Sequence, residues 1–206
     1  IEIGPGYGSL TKFIIQEKPK NLWLIEKDNE ISKFLKKKYL LENKVKIFNE
    51  DALNYDFHNL KNVIIISNLP YNQGTKIILK LFDYRNNIKE MIFMIQKEVA
   101  LKFDYNLVKL NKYKFLTKLI TRYERCFDVP STVFFPRPKV KSTVVKFKVL
   151  ENNIDMINVK KFIDIVFSNK RKKISNKIRH LGQNSEMDKR IDEISFSELL
   201  NIYNSF

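Results

Sequence analysis

The chain has 206 residues, 44% of them apolar, and 38 Lys and Arg against 23 Asp and Glu give it a formal net charge of +15. That length suits one substantial core with room for a small appendage, and no apolar run reaches the roughly 18 residues of a membrane span. A single cysteine, Cys126, excludes an intrachain disulfide and a cysteine-rich zinc site, and two distant histidines, His58 and His180, argue against a histidine metal centre or a Ser-His triad.

Ile1 to Ile3 reads as the end of a strand, entered without an initiator methionine, which predicts a chain shortened at its N-terminus. Gly4-Pro5-Gly6-Tyr7-Gly8-Ser9 then turns into a helix carrying Leu10, Phe13 and Ile14 on one face. Strand, glycine turn and helix begin a Rossmann-like unit whose turn can cradle a nucleoside or a phosphate, although a tight turn alone demands the same glycines. Ser9 stands where the dinucleotide fingerprint places its third glycine.

The second strand, Leu22 to Ile25, runs into Glu26-Lys27-Asp28. Glu26 lies 22 residues after Gly4, close to the offset of about 20 at which an acid at a strand tip accepts ribose hydroxyls. The other reading makes Asp28 a helix N-cap and leaves Glu26 solvated. A helix from Ile31 to Leu41 would turn Ile31, Phe34, Leu35 and Leu41 inward and Lys36-Lys37-Lys38 outward. The third strand, Val45 to Phe48, also ends near an acid, Asp51, placed to accept the exocyclic amine of an adenine. With no lysine-bearing P-loop in the chain, the glycine turn, Glu26 and Asp51 fit an adenosine without a triphosphate.

Val63-Ile64-Ile65-Ile66 reads as a strand buried on both faces. It carries Asn68-Leu69-Pro70-Tyr71 to a strand tip, where open α/β sheets bind ligands. A helix with Ile77, Ile78, Leu81 and Phe82 inward, a fifth strand at Met91 to Ile95 and a helix from Gln96 follow. Alternation of strand and helix predicts an α/β, largely parallel and doubly wound sheet. Residues 104–114 read as a basic surface loop, ahead of a helix through Phe115, Leu119 and Ile120. Tyr123 to Val129 and Ser142 to Val149 have no helix between them and read as an edge hairpin around Phe134-Phe135-Pro136-Arg137-Pro138. The two aromatic residues suit base stacking or plugging the core beneath the loop.

A polar break divides the chain into a Rossmann-like domain, 1–150, and a small helical domain, 155–206. Val159, Phe162, Ile163, Val166 and Phe167 have helical spacing, as do Ile191, Ile194, Phe196, Leu199, Leu200 and Tyr203. Between them lies a basic segment with Lys170, Arg171, Lys172, Lys173, Lys177 and Arg179. Such a run is often a solvated face, and an AT-rich genome enriches lysine everywhere. Beside an adenosine-type site it also fits RNA contact, because a cation set against a phosphate releases a counterion.

Several blocks, in order, resemble one family: Glu2-Ile3-Gly4-Pro5-Gly6, Ile25-Glu26-Lys27-Asp28, Glu50-Asp51-Ala52, Asn68-Leu69-Pro70-Tyr71-Asn72, Phe93 to Val99, Phe134 to Ser142 and Phe167 to Lys173. The family is that of the small-subunit rRNA adenine N6,N6-dimethyltransferases, and its resemblance implies a Rossmann-like S-adenosylmethionine methyltransferase sheet with a small C-terminal helical domain. It further implies that Glu2, Gly4, Gly6, Glu26, Lys27, Asp51, Ala52 and Asn68 bind S-adenosylmethionine, with Glu26 on the ribose and Asp51 on the adenine amine. Asn68, Leu69, Pro70, Tyr71 and Phe134 would hold the target adenine. There the Asn68 side-chain carbonyl and a backbone carbonyl of Leu69-Pro70 would accept its amine N–H groups, and Tyr71 and Phe134 would sandwich the ring.

Arg137, Lys170, Arg171, Lys172, Lys173, Lys177 and Arg179 would then contact RNA. The implied partner is small-subunit rRNA in a pre-ribosomal particle, with the enzyme acting as a cytoplasmic monomer without metal or membrane. The related large-subunit rRNA methyltransferases, whose turn more often reads Asn-Ile-Pro-Tyr, and non-catalytic nucleic-acid-binding descendants are the alternatives. Two departures stand out. The family's N-terminal arm, with a Gln-Asn-Phe-type motif, precedes the first residue here, and Tyr113-Lys114-Phe115-Leu116 replaces the usual Tyr-Gly-Arg-Leu.

Overall fold

The computed structural model describes residues 1–135, 137–138, 140–169, 172–178 and 189–206. They form two units, Ile1–Ala100 with Glu124–Val149 and Leu101–Tyr123 with Leu150–Phe206. Residues 101–123, which the sequence assigns to the first domain, therefore group with the C-terminal residues. The reason is packing: Phe115 meets Phe162 and Phe196 at ring-centroid distances of 5.8 and 5.4 Å.

In the first unit β1 (Glu2–Ile3), β2 (Leu22–Glu26), β3 (Val45–Asn49), β4 (Val63–Asn68) and β5 (Ile88–Gln96) run parallel. β7 (Ser142–Val149) pairs antiparallel with β5, and β6 (Thr121–Val129), whose first three residues belong to the second unit, lies at the edge, giving a seven-stranded order β3-β2-β1-β4-β5-β7-β6. The order reverses direction between β1 and β4. Ligands of open α/β sheets bind beyond the carboxyl ends of the strands at such a switch point, and here those ends are Ile3, Glu26, Asn49 and Asn68.

Helices α1 (Thr11–Gln16), α2 (Asn29–Lys38) and α3 (Gly74–Asp83) join these strands, and α4 (Lys97–Phe103) follows β5. α3 buries Ile77, Ile78, Leu81 and Phe82, each burial worth roughly 1.5–3 kcal/mol. α2 is capped by the Asp28 side chain, which accepts the Ile31 amide at 2.9 Å, and carries Lys36, Lys37 and Lys38 in its last turn, where cations suit the helix dipole. It stops at Lys38, so Leu41, expected inward, is 91% exposed and Tyr39 is buried instead. Phe13 and Phe34 are likewise exposed, because Ile14, Ile15 and Leu35 fill the core against Leu22 and Leu24. β4 is not covered on both faces either: Ile65 is fully buried and Ile64 is exposed.

The second unit contains α5 (Lys112–Ile120), α6 (Met156–Phe167), α7 (Ile174–Ile178) and α8 (Phe196–Asn204). Its core sets Phe162 against a tilted Phe115 and edge-to-face with Tyr203. α8 opens with a capping box in which Ser195 and Glu198 satisfy each other's amides. Among the described residues no helix is long and apolar enough to cross a membrane.

Candidate active site

The glycine turn leaves β1 with Gly4, Gly6 and Gly8 at φ of +63°, +53° and +82°, a region that side-chain-bearing residues enter at a cost. The three serve different ends. A Cβ added at Gly4 or Gly6 would meet nothing within 4 Å, whereas one at Gly8 would stand 2.5 Å from the Tyr39 hydroxyl. Gly8 is thus required by packing, while Gly4 and Gly6 leave open space.

Glu26, at the tip of β2, is only 7% exposed, and its carboxylate accepts the Gly6 amide at 3.2 Å and the Asp28 amide at 2.9 Å. The side chain therefore holds the turn and the start of α2 together, with lone pairs remaining for a ligand. Asp28 caps α2, as the second reading of this tip expected, but Glu26 is buried rather than solvated. Asn49 binds the tips of β2 and β3 by donating to the Glu26 and Lys27 carbonyls at 3.0 and 3.2 Å. Asp51 accepts the Leu53 amide at 2.9 Å through one oxygen and faces Lys27 at 3.8 Å through the other.

These groups line a cavity of about 400 Å³, within the size range of small-molecule sites. Gly4, Glu26, Lys27, Asp51, Ala52 and Asn68 all reach its wall. Glu2 and Gly6 do not line it. Glu2 is buried beneath the turn, where its carboxylate accepts the Thr11 hydroxyl at 2.6 Å and burial raises its pKa, so it ties β1 to α1. Glu50 lines the cavity too, and Asn72 and Gln73 before α3 and Ile77 within it also reach the wall. Their i, i+4 spacing from Gln73 to Ile77 was the available signal in the sequence.

A second recess, of about 290 Å³, adjoins the strand-tip turn, lined by Asn68, Leu69, Pro70, Tyr71, Phe134, Phe135 and Pro138. Asn68 and Pro70 belong to both walls. The Pro70 carbonyl accepts the Gln73 and Gly74 amides at 3.0 Å each and so starts α3. Among the described residues the Leu69 carbonyl and the Asn68 carboxamide carry no hydrogen bond. Tyr71 is fixed by Ser142, hydroxyl to hydroxyl at 3.0 Å, a contact between distant residues that no local pattern announces.

The sequence profile described as ribosomal RNA adenine dimethylase matches residues 1–204. The chain belongs to that family. A curated relative from Hydrogenobaculum sp., named ribosomal RNA small subunit methyltransferase A, is 36% identical over all of this chain and 81% of its own. One of the same name from Malacoplasma penetrans is 36% identical over 87% of this chain and 67% of its own. Among solved structures, a dimethyladenosine transferase from Plasmodium falciparum superposes with a TM-score of 0.80 at 24% identity, covering 99% of this chain and 89% of that one. The 23S rRNA methyltransferase ErmE gives 0.75 at 18% identity, over 98% and 88%.

The dimethylase is therefore an S-adenosylmethionine-dependent methyltransferase acting on ribosomal RNA, with the Rossmann-like sheet and C-terminal helical segment expected. The first cavity suits that cofactor, since it joins open space at Gly4, where a Cβ would stand, to a buried carboxylate at Glu26 and a second carboxylate at Asp51.

Of the residues expected to meet RNA, Arg137, Lys172 and Lys173 are exposed. Lys177 is a correction. It is 5% exposed, its ammonium donates to the Val166 carbonyl at 2.6 Å and burial lowers its pKa, so it caps the last turn of α6 from within. Lys170, Arg171 and Arg179 lie outside the described residues. Lys114, which stands in place of the family's glycine, is also buried and donates to the Lys109 and Leu107 carbonyls at 2.8 and 3.3 Å. It organises the 104–111 loop, part of the stretch read from sequence as a loop, and α5 begins at Lys112.

Proposed function

We propose that the enzyme transfers methyl groups to the N6 amines of adjacent adenosines in small-subunit rRNA, as a monomer acting on a pre-ribosomal particle in the cytoplasm, and so contributes to small-subunit maturation. The names of the curated relatives support the choice of subunit. The observation that carries the chemistry is the pair of recesses meeting at Asn68 and Pro70.

Gly4, Glu26, Lys27, Asp51, Ala52 and Asn68 would hold the cofactor. Glu26 would accept ribose hydroxyls, and Asp51 the adenine amine. When bound, the cofactor supplies an electrophilic methyl group. An adenine amine is a weak nucleophile because its lone pair is delocalised into the ring. The Asn68 side-chain oxygen and the Leu69 carbonyl each have an acceptor to offer an amine N–H, which favours a pyramidal nitrogen with a directed lone pair. The Pro70 carbonyl is committed to α3, so Leu69 is the acceptor left in the backbone pair. Pro70 also fixes its own φ, and the short turn is preorganised. Positioning supplies most of the catalysis in this scheme. Tyr71 and Phe134 would enclose an adenine taken out of its stack.

Primer extension on both rRNAs from a strain lacking the gene tests the reading. Loss of methylation confined to small-subunit rRNA is expected. Intact small-subunit methylation would refute it, and loss from large-subunit rRNA would assign the enzyme to the other subunit.

A further inference from the structure

Phe135 is 103% exposed and stands at the rim of the target recess, next to the half-buried Phe134. Phe134 has extended backbone, φ −107° and ψ 145°, so successive side chains diverge and the two rings cannot cover one base face to face. The second ring therefore does not share the Phe134 face of an extruded adenine and stands at the rim of the recess. Nor does it plug a core.

The ends of its loop are anchored. The Lys97 amide donates to the Lys141 carbonyl at 2.9 Å, and the Asp128 carboxylate accepts the Lys97 ammonium at 2.6 Å and the Thr143 hydroxyl at 2.8 Å, which pins the base of the loop from both sides. Two residues on, the exposed Arg137 donates through Nε to the Ser131 hydroxyl at 3.1 Å. That bond uses one of the guanidinium's five N–H groups, and the group suits a phosphate. An aromatic face beside a cation, on a chain of net charge +15, is the arrangement that binds single-stranded nucleic acid.

We propose that Phe135 is a stacking platform for the nucleobase adjoining the target adenosine in the same strand, with Arg137 against the intervening phosphate. This rests on the function proposed above. One adenosine enters the recess between Tyr71 and Phe134 while its neighbour lies on Phe135, and a shift of one nucleotide exchanges them.

The test uses the full chain and small-subunit particles lacking the modification. Phe135→Ala is expected to raise KM for the particle about tenfold, leaving kcat, cofactor affinity and thermal stability unchanged, and Phe135→Trp is expected to restore KM. In parallel, a single-stranded oligoribonucleotide with 2-aminopurine beside the adenosine should be quenched on binding the wild type and much less by Phe135→Ala. Equal KM values, or equal quenching, would overturn the platform. A wild type that quenches the probe but methylates no small-subunit particle would refute the proposed substrate and leave the platform standing.

Discussion

The Tyr71 hydroxyl lies 3.0 Å from that of Ser142, which joins the aromatic residue of the strand-tip turn to the first residue of β7. Ser142 is fully buried and Tyr71 half-buried, so the ring is held at one edge of the second recess by a partly buried bond. Ser142→Ala is expected to raise KM for RNA several-fold, in line with about 1 kcal/mol for one hydrogen bond, with cofactor affinity unchanged. Tyr71→Phe should match it. The double variant should be no worse than either single one, a coupling that steady-state kinetics on the four proteins would measure.

Asp51 offers the first cavity a carboxylate engaged by one backbone amide and an open ion pair. Asp51→Ala is expected to weaken S-adenosylmethionine binding by at least about tenfold, the worth of a hydrogen bond to a charged group, while RNA affinity stays constant. Calorimetry with the cofactor and a filter-binding assay with RNA would separate the two.

Gly4 and Gly8 should respond differently to the same substitution. Either alanine places a side chain in the left-handed region at roughly 1–2 kcal/mol, but only Gly8→Ala drives a Cβ to 2.5 Å from the Tyr39 hydroxyl. Gly8→Ala should therefore lower the melting temperature more, and Tyr39→Phe should recover part of the difference. The same second change should do nothing for Gly4→Ala, whose larger effect is expected on cofactor affinity.

The basic segment can be dissected by salt. Lys172→Ala and Lys173→Ala are each expected to lower RNA affinity and to reduce the slope of log K against log salt by about one. Lys177→Met should leave both unchanged, because that ammonium serves the Val166 carbonyl. It should also remove a pH dependence. Burial lowers the folded pKa of Lys177 below its unfolded value of 10.5, so the protonated form disfavours folding and stability gains as pH rises through the lowered value.

Acid should weaken the start of α8. Glu198 accepts from the Lys189 ammonium and from Ser195, and that pairing lowers its pKa from 4.5 to about 2. Its contribution is complete above pH 4.5 and is lost as pH falls toward 2. Thermal melts of the wild type and Glu198→Gln should differ at neutral pH and converge at the acid end, more weakly in high salt because the pair is exposed.

The alternation of strand and helix was legible because each buried strand and each inward face, such as Ile77, Ile78, Leu81 and Phe82, carries its own period. The acids at Glu26 and Asp51 were legible because the strand tips converge at the switch point, and both line the cavity. Helical spacing failed at Phe13, Phe34 and Leu41. It gives an angle around an axis, whereas exposure depends on where the helix stops and which neighbour fills the core first. Composition misjudged Lys177 for a related reason, since a lysine in a basic run looks solvated until its carbonyl partner is known. Ser142 and Asn49 act across long sequence separations or through a backbone contact, and no local pattern encodes either.

The double engagement of Glu26 bears on how a lineage of such enzymes would decay. The carboxylate that faces the first cavity also receives the Gly6 and Asp28 amides, so losing it would disturb the turn even in a protein that no longer transferred methyl groups. Selection for a folded chain alone would keep Glu26. Asn68, whose carboxamide has no such internal duty among the described residues, would drift first. Asn68 is therefore the position at which a substitution would report on the proposed catalysis with least disturbance of the turn.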